Sequence, residues 1–202
     1  MSPAEGDAQA VAEAEVKVEL ASEAFAAIPP RLRALGFEAT GEQELIDHYL
    51  AFRESPIRGF EFTRVRVIDR QASVLTQKRW VRDAAGHPVR LEEERTLSPT
   101  ELEALLPPER PVPSLAKRRS NFCGRIDDLP ALVSLDCLEL EGRTRYFVEC
   151  EVRTRPEHSR ETRERLLAWM RANLPVGDAA EAPTMLELLL RATGDAGPDP
   201  SA

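Results

Sequence analysis

A chain of 202 residues, 42% hydrophobic and 31% charged, fits one globular domain with short tails. Its formal net charge of −8 excludes a general nucleic-acid binder, which needs a basic field. No apolar run reaches the roughly 18 residues of a membrane span, and the acidic start Met1-Ser-Pro-Ala-Glu-Gly-Asp7 lacks the apolar stretch of a secretory signal.

A soluble, cytoplasmic protein with no membrane partner is therefore expected. Cys123, Cys137 and Cys150 form no CxxC unit and agree with a reducing compartment. Residues 1–10 and 193–202, rich in Ala, Gly, Pro, Asp and Ser, read as disordered tails around a domain over 11–192.

The first element is Glu13-Ala-Glu15-Val-Lys17-Val-Glu19-Leu20, where every second residue is charged. As a strand it has one charged and one apolar face. An Ala-rich helix over 8–27 is the alternative, and the β-branched Val16 and Val18 weigh against it. Ser22 to Leu35 reads as a helix interrupted at Pro29-Pro30 and stopped by Gly36. Extended segments follow at 43–52, 60–69, 73–81 and 89–96, the last two joined by Asp83-Ala-Ala-Gly86 as a hairpin connection. Ser98-Pro99-Thr-Glu101 is a capping box opening a short helix to Leu106. Strands are expected again at 114–122, 132–140 and 144–153, then a long helix from Glu157 to Asn173. Thr184 with Glu187 caps a final helix over 185–190. About eight sequential strands with interspersed and terminal helices define an α+β, antiparallel fold.

The charge alternation recurs. Arg64-x-Arg66, Thr76-x-Lys78, Arg90-x-Glu92-x-Glu94, Lys117-x-Arg119 and Glu149-x-Glu151 each place charged or polar side chains on one strand face, and Asp136 follows the apolar Leu135. Taken singly, such strands are solvated sheet faces. Solvated faces usually mix in Ser, Thr, Asn and Gln, which these strands largely lack. Six such segments point to a shared polar interior, because buried charge must be neutralised or wet.

Glu13-x-Glu15-x-Lys17 resembles the ExExK signature of the CYTH domain, the triphosphate tunnel metalloenzymes. The later motifs follow in the family's order, through Phe147-x-Glu149-x-Glu151. Met185-Leu-Glu-Leu-Leu189 resembles its closing segment, with Pro183-Thr184-Met185 in place of the usual Ser-Tyr. The resemblance spans about residues 11–192 and implies an eight-stranded antiparallel β-barrel, a tunnel with charged side chains inside and helices outside and at the C-terminus.

It further implies that Lys17, Arg64, Arg66, Lys78, Arg90, Lys117 and Arg119 hold phosphate oxygens, with Lys17, Arg64, Arg66 and Lys78 the catalytic cations. Glu13, Glu15, Glu92, Glu94, Asp136, Glu149 and Glu151 would neutralise these cations and bind Mg²⁺ or Mn²⁺. Glu13, Glu15, Glu149 and Glu151 are favoured as ligands because they form paired sites. Asp47 and Tyr49 match the family's second-strand Asp-x-Tyr pattern, a support of the barrel. His48, His87 and His158 lack metal-ligand spacing, and no GxxxxGK[ST], GxSxG or GxGxxG motif is present.

The resemblance implies a metal-dependent triphosphatase, monomeric or homodimeric, acting on inorganic tripolyphosphate or a nucleoside or other organic triphosphate. Class IV adenylyl cyclase activity and non-catalytic binding of polyphosphate or nucleotide are the alternatives.

Overall fold

The computed structural model describes residues 12–194. The expected tail over 1–10 lies outside the described residues, as does the expected tail over 193–202 from 195 onward; Thr193 instead ends the last helix and Gly194 caps it.

Eight antiparallel strands close into a barrel in the order β1-β5-β4-β3-β2-β6-β7-β8. They are β1 (Ala12–Leu20), β2 (Glu38–Glu54), β3 (Phe60–Ile68), β4 (Ala72–Arg82), β5 (Pro88–Thr96), β6 (Ser114–Ile126), β7 (Leu129–Leu140) and β8 (Arg143–Thr154). The helices are α1 (Ser22–Ala34), α2 (Pro99–Leu105), α3 (Ser159–Asn173) and α4 (Met185–Thr193). The α+β antiparallel fold read from the strand pattern, and the eight-stranded barrel that the resemblance implies, are the fold observed. No described helix is long and apolar enough to cross a membrane.

The barrel is polar inside and apolar outside over much of its wall. Ala14, Val16 and Val18 of β1, with Val148, Cys150 and Val152 of β8, point outward and are buried beneath Ile28 and Leu32 of α1 and Leu166 and Met170 of α3. Side chains alternate in a strand, so Glu13, Glu15 and Lys17 and then Glu149 and Glu151 face inward.

One end of the lumen is apolar. Tyr49, Phe62, Leu115, Leu138 and Phe147 continue the inward-facing rows there and pack against Met185, Leu186 and Leu189 of α4. That helix opens on the expected capping box, with Thr184 Oγ1 accepting from the Glu187 amide and Glu187 accepting from the Thr184 amide. It runs on to Thr193, past the expected end at 190, and stops at the left-handed Gly194.

Two local readings are corrected. Pro29 and Pro30 do not interrupt α1. Ile28 and Leu32 are fully buried on either side of the pair, and the exposed position of Ala26 leaves its unpaired carbonyl to solvent. Packing of one face thus overrides the propensity of two residues. The helix ends on the expected glycine: Phe37 N–H donates to Leu32 O and Gly36 N–H to Arg33 O, with Gly36 at φ 83°. The second correction is at Pro156–His158, a 3₁₀ turn that precedes α3, so the long helix starts at Ser159.

Closure of the barrel is uneven. β1 pairs with β8 along its whole length, from Ala12–Thr154 to Leu20–Tyr146. Toward β5 it pairs only at Ala12–Leu91 among the described residues. Part of its free edge is taken by the segment before α4: Val18 bridges Glu181, and the Ala182 amide donates to Lys17 O at 2.8 Å.

Candidate active site in the barrel lumen

The interior is a cavity of ≈ 490 Å³. Glu13, Glu15, Lys17, Arg64, Arg66, Lys78, Arg90, Glu92, Glu94, Lys117, Arg119, Glu149 and Glu151 all line it. The structure brings thirteen of the fourteen charged residues singled out in the sequence to one surface. Asp136 is the exception: it is fully buried behind the wall, in contact with Lys117 and Arg119.

Two carboxylates organise the cations from behind. Asp47 accepts from Arg66 Nε at 2.7 Å and Nη2 at 3.0 Å, with Arg64 at 3.5 Å and Lys117 at 3.8 Å. Asp136 accepts from Arg119 at 2.6 and 2.7 Å and from Lys117 Nζ at 2.8 Å. Burial alone raises a carboxyl's pKa, but these cations reverse it and hold both acids ionised below the usual range. Asp47 and Asp136 act as fixed counter-ions that aim the guanidinium and ammonium groups into the lumen.

The lumen-facing carboxylates are arranged differently. Lys78 Nζ lies 2.9 Å from Glu13, 2.7 Å from Glu92 and 3.6 Å from Glu15. Lys17 Nζ lies 2.8 Å from Glu149 and 3.5 Å from Glu15. Arg90 reaches Glu15 at 3.6 Å, and Arg119 reaches Glu149 at 3.1 Å. Thr76 Oγ1 accepts from Arg64 and donates to Glu94.

These contacts set the protonation pattern. Burial opposes charge on Lys17 and Lys78, but Glu149 and Glu13 respectively raise both amines above their ordinary value. Lys117 goes the other way: burial, then Arg119, depresses it to about 7. Burial, then Glu13, pushes Glu151 up to about 9. The lumen therefore contains a carboxyl that keeps its proton at neutral pH and an amine poised to lose one.

No group of three His, Cys, Asp or Glu among the described residues stands close enough to form a ready metal site. The donor chemistry nonetheless suits a hard divalent cation, since every acid here offers carboxylate oxygen. Lys78 demonstrates that Glu13, Glu15 and Glu92 can converge on a single cationic centre.

Arg153, missed in the sequence, lines the lumen beyond Glu149 and Glu151 on the same face of β8; continuing the alternation by one step finds it. Gln43 and Asn121 also line it, hydrogen-bonded to each other at 3.1 Å. His48 lies against Ser114 and His158 in the turn before α3, both away from the cavity.

The fold and its charged interior define the class, a closed antiparallel barrel built around a charged lumen. Residues 12–174 match the CYTH domain, and the chain belongs to that family. No curated protein matches the chain. Among solved structures, it resembles a Hippeastrum protein described as an adenylyl cyclase with a dominant triphosphatase activity. That pair has 16% identity and a TM-score of 0.55, covering 90% of this chain and 95% of the other. It also resembles a Bacillus halodurans protein described as an adenylate cyclase, at 19% identity and TM-score 0.49, covering 86% and 93%. At 16% identity the likeness to the Hippeastrum protein is one of fold.

Proposed function

We propose that the protein is a metal-dependent triphosphatase that binds a triphosphate along the lumen and releases its terminal phosphate. The observation that carries this reading is the convergence of Lys17, Arg64, Arg66, Lys78, Arg90, Lys117 and Arg119 on one cavity with Glu13, Glu15, Glu92, Glu94, Glu149 and Glu151. A pure anion binder gains nothing from so many acids.

In this reading Arg64, Arg66 and Arg119 clamp phosphate oxygens in forked geometry, held in place by Asp47 and Asp136. Lys17, Lys78 and Lys117 supply point charges. A triphosphate drawing Lys78 toward its oxygens releases Glu13, Glu15 and Glu92 from that amine. The carboxylates freed in this way, with Glu149 and Glu151, are the residues that would hold Mg²⁺ or Mn²⁺. Such an ion supplies Lewis-acid polarisation of the phosphate and a water of lowered pKa. Substrate and metal binding are then mutually supporting.

The test is incubation with tripolyphosphate, ATP and thiamine triphosphate plus Mg²⁺ or Mn²⁺, with assays for phosphate, pyrophosphate and cyclic AMP. Phosphate release that EDTA abolishes is the expected result. Cyclic AMP with pyrophosphate would establish a cyclase instead, and tight binding with no product a non-catalytic binder.

A further inference from the structure

The incomplete β1–β5 seam opens from the lumen into a second hollow of ≈ 580 Å³. Glu13, Glu15, Lys17, Arg90 and Thr184 line both spaces, so the two are continuous. The outer hollow is bounded by the β2–β3 loop, the β4–β5 hairpin and the start of α3, where the Arg160 guanidinium meets His87 at 3.4 Å.

Its walls differ from those of the lumen's solvent-facing end. Ile68, Asn121, Leu132 and Arg153 at that end include no aromatic ring. The seam hollow has Trp80, Phe60 and His87. Trp80 follows Lys78 on the inward face of β4 and pairs with Arg90 of β5. Arg90 lies 5.8 Å from the Trp80 ring centroid and 5.6 Å from that of Phe62. Its buried Nε has no hydrogen-bond partner. The exposed Arg58 lies over the same indole at 5.6 Å. A half-buried indole flanked by guanidinium planes is a seat for a flat ring, which stacks on either kind of surface.

We infer that this hollow seats an aromatic ring carried on the esterified end of the substrate, which makes the substrate an organic triphosphate of nucleoside type rather than inorganic tripolyphosphate. The inference rests on the triphosphate reading of the lumen. It also orients the ligand. The esterified phosphate lies against Lys17 and the free Nε of Arg90, and the terminal phosphate lies toward Glu13, Glu92 and Glu151. The ring occupies the space beside Trp80, with Arg58 moving aside or closing over it.

The experiment compares binding of β,γ-imido ATP and of diimidotriphosphate, both with Mg²⁺, by calorimetry. The wild-type chain should prefer the nucleotide analogue, and Trp80→Ala should lower its affinity about tenfold, the scale of one stacked base. Affinity for diimidotriphosphate should stay within about twofold, and Trp80→Phe should retain most nucleotide binding. A second readout needs no change at the site. In a Trp169→Phe chain Trp80 is the remaining indole, and its fluorescence should respond to the nucleotide analogue and not to diimidotriphosphate. Equal affinity for the two analogues with no fluorescence difference overturns the inference and leaves the triphosphate reading standing. If neither analogue binds, the triphosphate reading itself fails and takes this one with it.

Discussion

Glu151 and Arg64 illustrate how differently buried charges behave at the scale of single residues. Glu151 is held in its protonated form first by burial and then by its neighbours Glu13 and Glu149. Its folded-state pKa lies above the unfolded value, so the native state binds more protons than the unfolded chain between about 4.5 and 9. Stability of the metal-free protein must then fall as pH rises through that window. Thermal melts in EDTA should show this decline in the wild type and a flatter profile in Glu151→Gln, which keeps the shape without the titration. A Glu151→Gln profile as steep as wild type would place the titrating group elsewhere.

Arg64 and Arg66 share Asp47 and reach into the lumen. Arg64→Ala and Arg66→Ala should each weaken triphosphate binding by roughly 1.5–3 kcal/mol, one charge-assisted contact apiece, and affect a monophosphate far less. Calorimetry with triphosphate and monophosphate decides this, and unchanged triphosphate affinity in both variants would remove the basis of the functional reading.

At the scale of the element, the alternating charges of β1, β3, β5 and β8 were legible because a period of two assigns a face without knowledge of the partner strand. Both capping boxes were legible for a similar reason, since their chemistry lies within four residues. The continuity of α1 was not, because it depends on Ile28 and Leu32 finding the outer barrel wall. Asp136 could not be separated from Glu149 in sequence. Only the packing of β6 on β7 and β7 on β8 reveals that one lies behind Arg119 and the other in the cavity. Trp80 was silent because its relevance requires a gap between β1 and β5.

One strand position follows from packing alone. A methyl group at Gly124 of β6 would lie 2.5 Å from the Phe37 ring, which is itself buried in the core with the Trp169 ring tilted against it at 5.6 Å. Gly124→Ala should therefore destabilise the fold by about 1–3 kcal/mol, an overpacking cost. Denaturant unfolding measures it, and a neutral result would mean that Phe37 yields more readily than its neighbours suggest.

Across the whole molecule, the inward acids and bases and the outward apolar rows make the barrel wall a poor core by itself. Its hydrophobic stabilisation comes from what α1 and α3 cover and from α4 across one end. The β1–β5 seam is the place where neither ladder hydrogen bonds nor a dry interior holds two neighbours together. Amides of β5 that face β1 there lack a strand partner and should exchange with deuterium faster than those facing β4. A ligand held by Lys17 and Glu15 on one bank and Arg90 on the other would span that gap. It would act as a clasp in place of missing backbone bonds, joining the two banks of the wall. Hydrogen exchange with and without a bound triphosphate analogue should then show β5 slowing markedly while β7, laddered on both sides, changes little. Binding in this molecule would be the last step of barrel closure, measured in the breathing of a single seam.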